Sequence, residues 1–259
     1  MKISKNKNII ALIPARGGSK SIPKKNIMDL AGHPLIAYSI AAVRLSKYIS
    51  RIIVSTDNQE IAKISEFYGA EVPFVRPQKY ATDASRDIGF IKHAINWLKR
   101  NEGFCPDYIV FLRPTTPLRD IKVVDKAILE IIKDKKATSL RSAHKFESSA
   151  YKLFRKKGSY AEFFGKEDFR PSIEYQDLPR QKLPATYKTN GYVDILLTKF
   201  IEKTGKLHGP RIKAFVTNET ADIDTLRDVD FARAILKNKE YLPLVTLLNK
   251  IKQKYGKKF

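Results

Sequence analysis

Short apolar runs closed by turn-forming residues alternate along this chain with stretches whose apolar positions recur at helical spacing. Ile9 to Pro14 is the first run. It is followed by a helical stretch from Pro34 to Tyr48, a second run from Arg51 to Thr56, and a helix from Gln59 to Phe67 ended by Gly69. The rhythm continues with a strand at Val72 to Val75, a helix from Asp87 to Arg100 with Ile88, Ile91, Ile95 and Leu98 on one face, a strand from Tyr108 to Leu112 and a helix from Ile121 to Lys133. Strands that read apolar throughout are buried on both faces. The alternation therefore predicts an α/β fold, a mainly parallel sheet covered by helices, with ligands beyond the carboxyl ends of the strands.

Between Ser142 and Lys188 the rhythm breaks. Aromatic stretches at Tyr151 to Phe154 and Tyr160 to Phe164 flank the turn-like Lys156-Lys157-Gly158-Ser159, which predicts an inserted hairpin subregion over residues 142–188. Its aromatics either meet a second subunit or pack back onto the parent domain. Strands at Tyr192 to Leu197 and Ile212 to Val216 follow. A helix then opens at Thr225, with Asp228 at capping-box spacing, and Leu242 to Tyr255 reads as a last amphipathic helix.

At 259 residues the chain is expected to form one domain over residues 1–259. Forty-nine Lys and Arg against 27 Asp and Glu give a net charge of +22, a field that favours anionic partners. The only cysteine, Cys105, excludes an intrachain disulfide scaffold and points to a reducing compartment, so the expected location is cytoplasmic. No run reaches the ~18 apolar residues of a membrane-spanning helix, and Pro14 and Arg16 cut short the apolar run that follows the lysine-rich opening, so it reads as a strand and not as a signal peptide.

Candidate chemistry gathers just after the first strand, in Pro14-Ala15-Arg16-Gly17-Gly18-Ser19-Lys20-Ser21-Ile22-Pro23-Lys24-Lys25-Asn26. Two glycines let backbone approach a ligand, and Arg16, Lys20, Lys24 and Lys25 bring cations to one strand end. This outlines a polyphosphate site, although a solvated basic turn has the same composition. It is neither a Walker A loop nor a dinucleotide-binding glycine turn. Asp222 and Asp224 stand two apart, so in extended backbone their carboxylates share a face and could hold magnesium; the plainer reading gives Asp222 to a turn and Asp224 or Thr225 to a helix cap.

Ile13 to Asn26, read as I-P-A-R-G-G-S-K-x-I-P-x-K-N, resembles the start of the acylneuraminate cytidylyltransferases, the CMP-sialic acid synthetases and their relatives acting on other nonulosonic acids. The same order of motifs continues through Arg51 to Asp57, Arg76-Pro77, Leu112 to Arg119, Asn190-Gly191 and Asp222 to Thr225. The resemblance implies a nucleotidyltransferase-type, Rossmann-like sheet in three layers. It implies transfer of CMP from CTP to the anomeric hydroxyl of a nine-carbon keto-sugar acid, with pyrophosphate released and magnesium required. It places Arg16 and Lys25 on the triphosphate, Ala15, Gly18, Ser19 and Lys20 in the same nucleotide loop, Asn26 and Arg76 near the cytidine, and Asp222 and Asp224 on the metal.

On the sugar side the resemblance implies Thr115, Asn190, and, reaching into a partner subunit's site, Lys152 and Arg180; a homodimer with shared active sites follows. Arg113 stands where the family often carries glutamine. It either pairs with an acidic substrate or fills its loop with a salt bridge. Asn190 likewise remains readable as a turn residue. None of His33, His93, His144 and His208 shows metal or triad spacing, so no histidine base is expected.

The other readings keep the fold and change the acceptor, to an eight-carbon acid sugar or a sugar 1-phosphate, or change the class altogether to an RNA-binding basic protein. The last is disfavoured by lysines spread over nearly every segment and by the lack of an aromatic-basic strand.

Overall fold

The computed structural model describes residues 7–19 and 22–255. The first apolar run is an interior strand of its sheet, β1 (Ile9–Pro14), in which Ile9 to Ile13 are all buried. In chain order there follow β2 (Asp29–Leu30), β3 (His33–Pro34), α1 (Leu35–Arg44), β4 (Arg51–Ser55), α2 (Gln59–Phe67), α3 (Asp87–Glu102), β5 (Tyr108–Phe111), α4 (Ile121–Lys133) and β6 (Ser139–Lys145). The second half contains β7 (Phe154–Lys157), β8 (Tyr160–Phe163), β9 (Tyr187–Leu197), α5 (Thr198–Thr204), β10 (Ile212–Val216), α6 (Leu226–Ile235) and α7 (Leu242–Tyr255).

Six strands form one sheet in the order β10-β6-β9-β5-β1-β4, parallel except for β9, which runs antiparallel to both of its neighbours. The period of two along β1 divides the core. Ile9, Ala11 and Ile13 face a cluster shared with α1, α4, α6 and α7, whereas Ile10 and Leu12 face a second cluster built on α3 and α5. Helices thus cover both faces, giving the three layers of an α/β nucleotidyltransferase-type fold.

Three departures from the sequence pattern have local causes. Val72 to Val75 forms no strand but two isolated parallel bridges to the β4 edge, Ile53 with Glu71 and Thr56 with Val75, because Pro73 between them has no N–H to donate. β6 carries little apolar sequence. Its buried Ser139 and Ser142 satisfy their hydroxyls instead, Ser142 Oγ accepting from Val193 N at 2.9 Å and Ser139 Oγ meeting His208 Nδ1 at 2.9 Å. Helix α1 stops at Arg44, short of Tyr48, as Ser46 turns the chain by accepting from the backbone N–H groups of Tyr48 and Ile49.

β6 and β9 stay paired out to Lys145 and Tyr187, and Phe146 N then bonds Thr186 O at 2.8 Å, so the inserted segment proper occupies residues 146–186. It holds the expected β7–β8 ribbon. A small core of its own joins Tyr151, Tyr175 and Leu183, with Phe163, Phe169 and Leu178 packed around it.

Candidate active site

The loop after β1 is fixed by backbone before any ligand arrives. Ala15, fully buried, donates its N–H to Ser55 O at 2.9 Å, and Gly17 N donates to Asp57 Oδ1 at 2.8 Å. A Cβ on Gly17 would stand 3.0 Å from Asn58 Cβ, so glycine is what lets the loop lie against α2's first residues; a Cβ on Gly18 would meet nothing within 4 Å, leaving its backbone approachable. Asn26 Nδ2 donates to Arg16 O at 3.0 Å, tying the far end of the loop to its start. Arg16 pairs with Asp83 at 2.6 Å and stays one-third exposed. Ser19 is half-buried beside it, and Lys20 lies outside the described residues.

Lys25 joins this loop to a segment 198 residues away. Its Nζ donates to Ile223 O at 3.1 Å and to Asp224 Oδ1 at 3.0 Å, and only 8% of the residue is exposed. Around it Ala221 and Ile223 are buried while Asp222 and Asp224 are exposed, the alternation that extended backbone gives, although residues 221–223 belong to no strand. Helix α6 is capped by Thr225 with Asp228, whose carboxylate accepts from Thr225 N at 2.6 Å. That backbone hydrogen bond, ahead of the others it makes, holds the Asp228 carboxyl below its ordinary range. Capping therefore leaves the Asp224 carboxylate to Lys25. Among the described residues Asp222 accepts one long hydrogen bond, from Thr116 Oγ1 at 3.5 Å, and Ile223 N donates to Thr115 O at 2.7 Å, which brings Thr115 to the same place.

Arg76 lies on the other side of the loop. It is 4% exposed, donates from Nε to Ser55 Oγ at 2.9 Å and from Nη2 to Ser55 O, and stacks 4.4 Å above the Phe90 ring. Burial lowers its pKa to about 10, so it remains a cation at neutral pH.

Arg113 is already engaged within the chain. It pairs with Asp87 at 2.8 Å and Asp194 at 3.3 Å over the Phe111 ring, and its side chain stays about one-third exposed. Asn190 is buried and donates from Nδ2 to Thr217 Oγ1 at 2.7 Å while its Oδ1 accepts from Tyr192 N at 3.2 Å; with Asp222, His144 and Lys188 it lines a cavity of about 330 Å³.

Lys152 and Arg180 are not brought to this place. Both are exposed on the inserted segment, where Lys152 Nζ donates to Gln176 O. His33 is a core residue bonded to Tyr68 and Asn249, as expected of a structural histidine. Two organising residues carried no assignment from sequence. Asp57, two residues beyond β4, anchors Gly17. Arg119, 1% exposed, donates to Tyr192 O at 2.6 Å, Ser39 Oγ at 2.9 Å, Arg113 O at 2.9 Å and Gly191 O at 3.2 Å, tying the loop after β5 to β9. Both lie inside motifs quoted above; their residue types signalled charge, and only tertiary structure reveals the partners.

A basic, glycine-containing loop at the carboxyl end of β1, joined through Lys25 to a pair of carboxylates in a three-layer fold, defines the class as an α/β nucleotidyltransferase-type protein. The fold is that of CMP:2-keto-3-deoxy-manno-octonic acid synthetase complexed with CTP, at a TM-score of 0.64 and 15% identity over 89% of this chain and 98% of that one. The cytidylyltransferase family model matches residues 10–223, and the chain belongs to that family. It is 30% identical to pseudaminic acid cytidylyltransferase of Campylobacter jejuni subsp. jejuni over 88% of this chain and 96% of that one. It is 32% identical to CMP-N,N'-diacetyllegionaminic acid synthase of Legionella pneumophila over 84% of this chain and 91% of that one.

Proposed function

We propose that this protein transfers CMP from CTP to the anomeric hydroxyl of a nonulosonic acid and releases pyrophosphate. The relatives named for pseudaminic and legionaminic acids support the acceptor class. The observation that carries the reading is the Lys25–Asp224 contact at 3.0 Å, which joins the basic loop to the carboxylate pair. In the reaction the acceptor hydroxyl attacks the α-phosphorus, the bond from that phosphorus to the bridging oxygen breaks, the hydroxyl loses its proton and pyrophosphate departs. No covalent protein intermediate is needed; the chain's work is positioning and charge. Arg16, Ser19, Lys20 and Lys25, with the open backbone of Gly18, bind the triphosphate, and the hydrogen-bonded seats of Ala15, Asn26 and Arg76 shape the cytidine side.

Asp222 and Asp224 offer two exposed hard-oxygen donors two residues apart, and no third carboxylate, histidine or cysteine completes a cluster among the described residues. That donor set fits magnesium, which takes one or two carboxylates together with phosphate oxygens and water. Bound there, magnesium would neutralise phosphate charge and acidify the attacking hydroxyl.

For the acceptor we propose Thr115 and Asn190 from one chain and Lys152 and Arg180 from another, in a homodimer. Phe154 and Tyr160, 56% and 81% exposed on the same inserted segment, support a covering subunit. Arg113 acts through Asp87 and Asp194 in shaping the acceptor end. No helix among the described residues is long and apolar enough to cross a membrane, and the lone cysteine supports a cytoplasmic setting.

The test is pyrophosphate release with magnesium, crossing the four nucleoside triphosphates with nonulosonic acids, an eight-carbon acid sugar and a sugar 1-phosphate. Release with CTP and a nine-carbon acid is expected. Release only with the eight-carbon sugar or a sugar 1-phosphate would move the acceptor, and salt-sensitive RNA binding without turnover would overturn the reading.

A further inference from the structure

On the sheet face opposite α1 and α4, the outer side of α3 carries a second cavity, of about 620 Å³, well within the range of small-molecule sites. Two adjacent ridges of the helix line it. Lys92, Asn96 and Arg100 recur at four-residue spacing along one ridge, and His93, Trp97 and Asn101 along the next. Tyr80 closes one wall. Its ring lies so near α3 that a Cβ on Gly89 would stand 2.6 Å from Tyr80 Cδ1, so a glycine, which costs a helix about 1 kcal/mol, is what admits the ring.

The lining chemistry is one-sided. Two cations, three aromatic rings and two amides face this space, and no Asp or Glu lines it, although the chain has 27. Neither Lys92 nor Arg100 forms an ion pair among the described residues, and two helical turns set them about 12 Å apart along the axis. Trp97 is braced by Phe74 at 5.5 Å between centroids, and Tyr80 and His93 lie 6.1 Å apart. Burial, then Arg76 and Lys79, hold the His93 imidazole below its usual range, so the ring stays neutral in a positive field. Flat rings flanked by exposed positive charges, unpaired among the described residues, match a planar base joined to a phosphate, since aromatic side chains stack any base and cations take the anion.

We propose that this cavity is a second nucleotide-binding site, with a base stacked on Trp97 and Tyr80 and its phosphate held by Lys92 or Arg100. It is separate from the basic loop after β1 and does not depend on the acceptor assigned above. Trp97 is the only tryptophan in the chain, so its emission reports on the cavity directly. AMP is expected to quench that emission saturably, with adenosine and inorganic phosphate each at least about tenfold weaker, ~1.4 kcal/mol apiece. Replacing Lys92→Glu together with Arg100→Glu should abolish the quench while far-UV circular dichroism and pyrophosphate release with CTP are retained. Asn96→Asp, a gentler exposed change, should weaken it in the same direction. Absence of saturable quenching by AMP, CMP and UMP alike would overturn the proposal, as would quenching that survives both charge changes.

Discussion

The loops at the carboxyl ends of β1, β4 and β5 and the inserted segment at 146–186 solve the placement of charge in different ways. In the first region Lys25, Arg76 and Arg119 are anchored inside their own chain. Lys25 reaches Ile223 and Asp224, Arg76 reaches Ser55 and Phe90, and Arg119 makes four hydrogen bonds in nearly complete burial. In the second, Arg180 and Lys152 are exposed and the ribbon turns Phe154 and Tyr160 to solvent above a core of only three buried side chains. Preorganised charge costs little reorganisation when phosphate arrives, whereas exposed aromatics and lysines gain their order from whatever covers them. The difference is the one expected of the proposed division, a nucleotide end built within one chain and an acceptor end finished by another.

The largest expected effect lies in the carboxylates. Asp224→Asn should lower turnover by about 10²- to 10³-fold with the circular dichroism spectrum unchanged, and chelation of magnesium should silence the wild type similarly. Normal magnesium-dependent rates in that variant would remove Asp224 from the metal. Arg119→Met tests rigidity at the strand ends. It strands four acceptors, three of them backbone carbonyls, and should cost at least ~3 kcal/mol in urea unfolding; a loss under about 1 kcal/mol would show that the loop does not depend on it.

Arg16→Ala should raise the KM for CTP by about 10- to 100-fold, the worth of a charge-assisted hydrogen bond, and leave unfolding unchanged. Lys152→Ala and Arg180→Ala should leave stability alone and raise the KM for the acceptor but not for CTP, which breaks the comparison if CTP affinity falls instead. Smallest is Asp228→Ala, about 0.5–1 kcal/mol through lost capping of α6. Because the folded Asp228 pKa is depressed, its contribution is complete above the ordinary carboxylate pKa and fades as pH drops through the folded value, so an acid titration of wild type against variant should converge only at low pH.

Much of this architecture was legible in the sequence where one force dominates. β1, α2, α4, β10 and α7 have the bounds that apolar periodicity sets, and the strand-end loops carry the charged residue types. β6 was illegible because serines, satisfied by hydrogen bonds, fill its buried positions, and the strand expected before Arg76 fails on one proline. At the site, residue type was readable and partnership was not. Nothing local links Lys25 to Ile223, or couples Arg113 to Asp87 and Asp194, since those contacts exist only once the sheet has brought distant loops together.

The division between the two regions is tested most directly by mixing two impaired chains, one carrying Asp224→Asn and the other Lys152→Ala, refolded together so that subunits reassort and assayed at an acceptor concentration well below the raised KM of the Lys152 variant. If the acceptor end of each site comes from the partner, the mixture releases pyrophosphate faster than the average of its parents, because one site in each mixed dimer draws both of its intact residues. A mixture that stays at the average of its parents would place the two residues in the same chain's site and contradict the shared-site account.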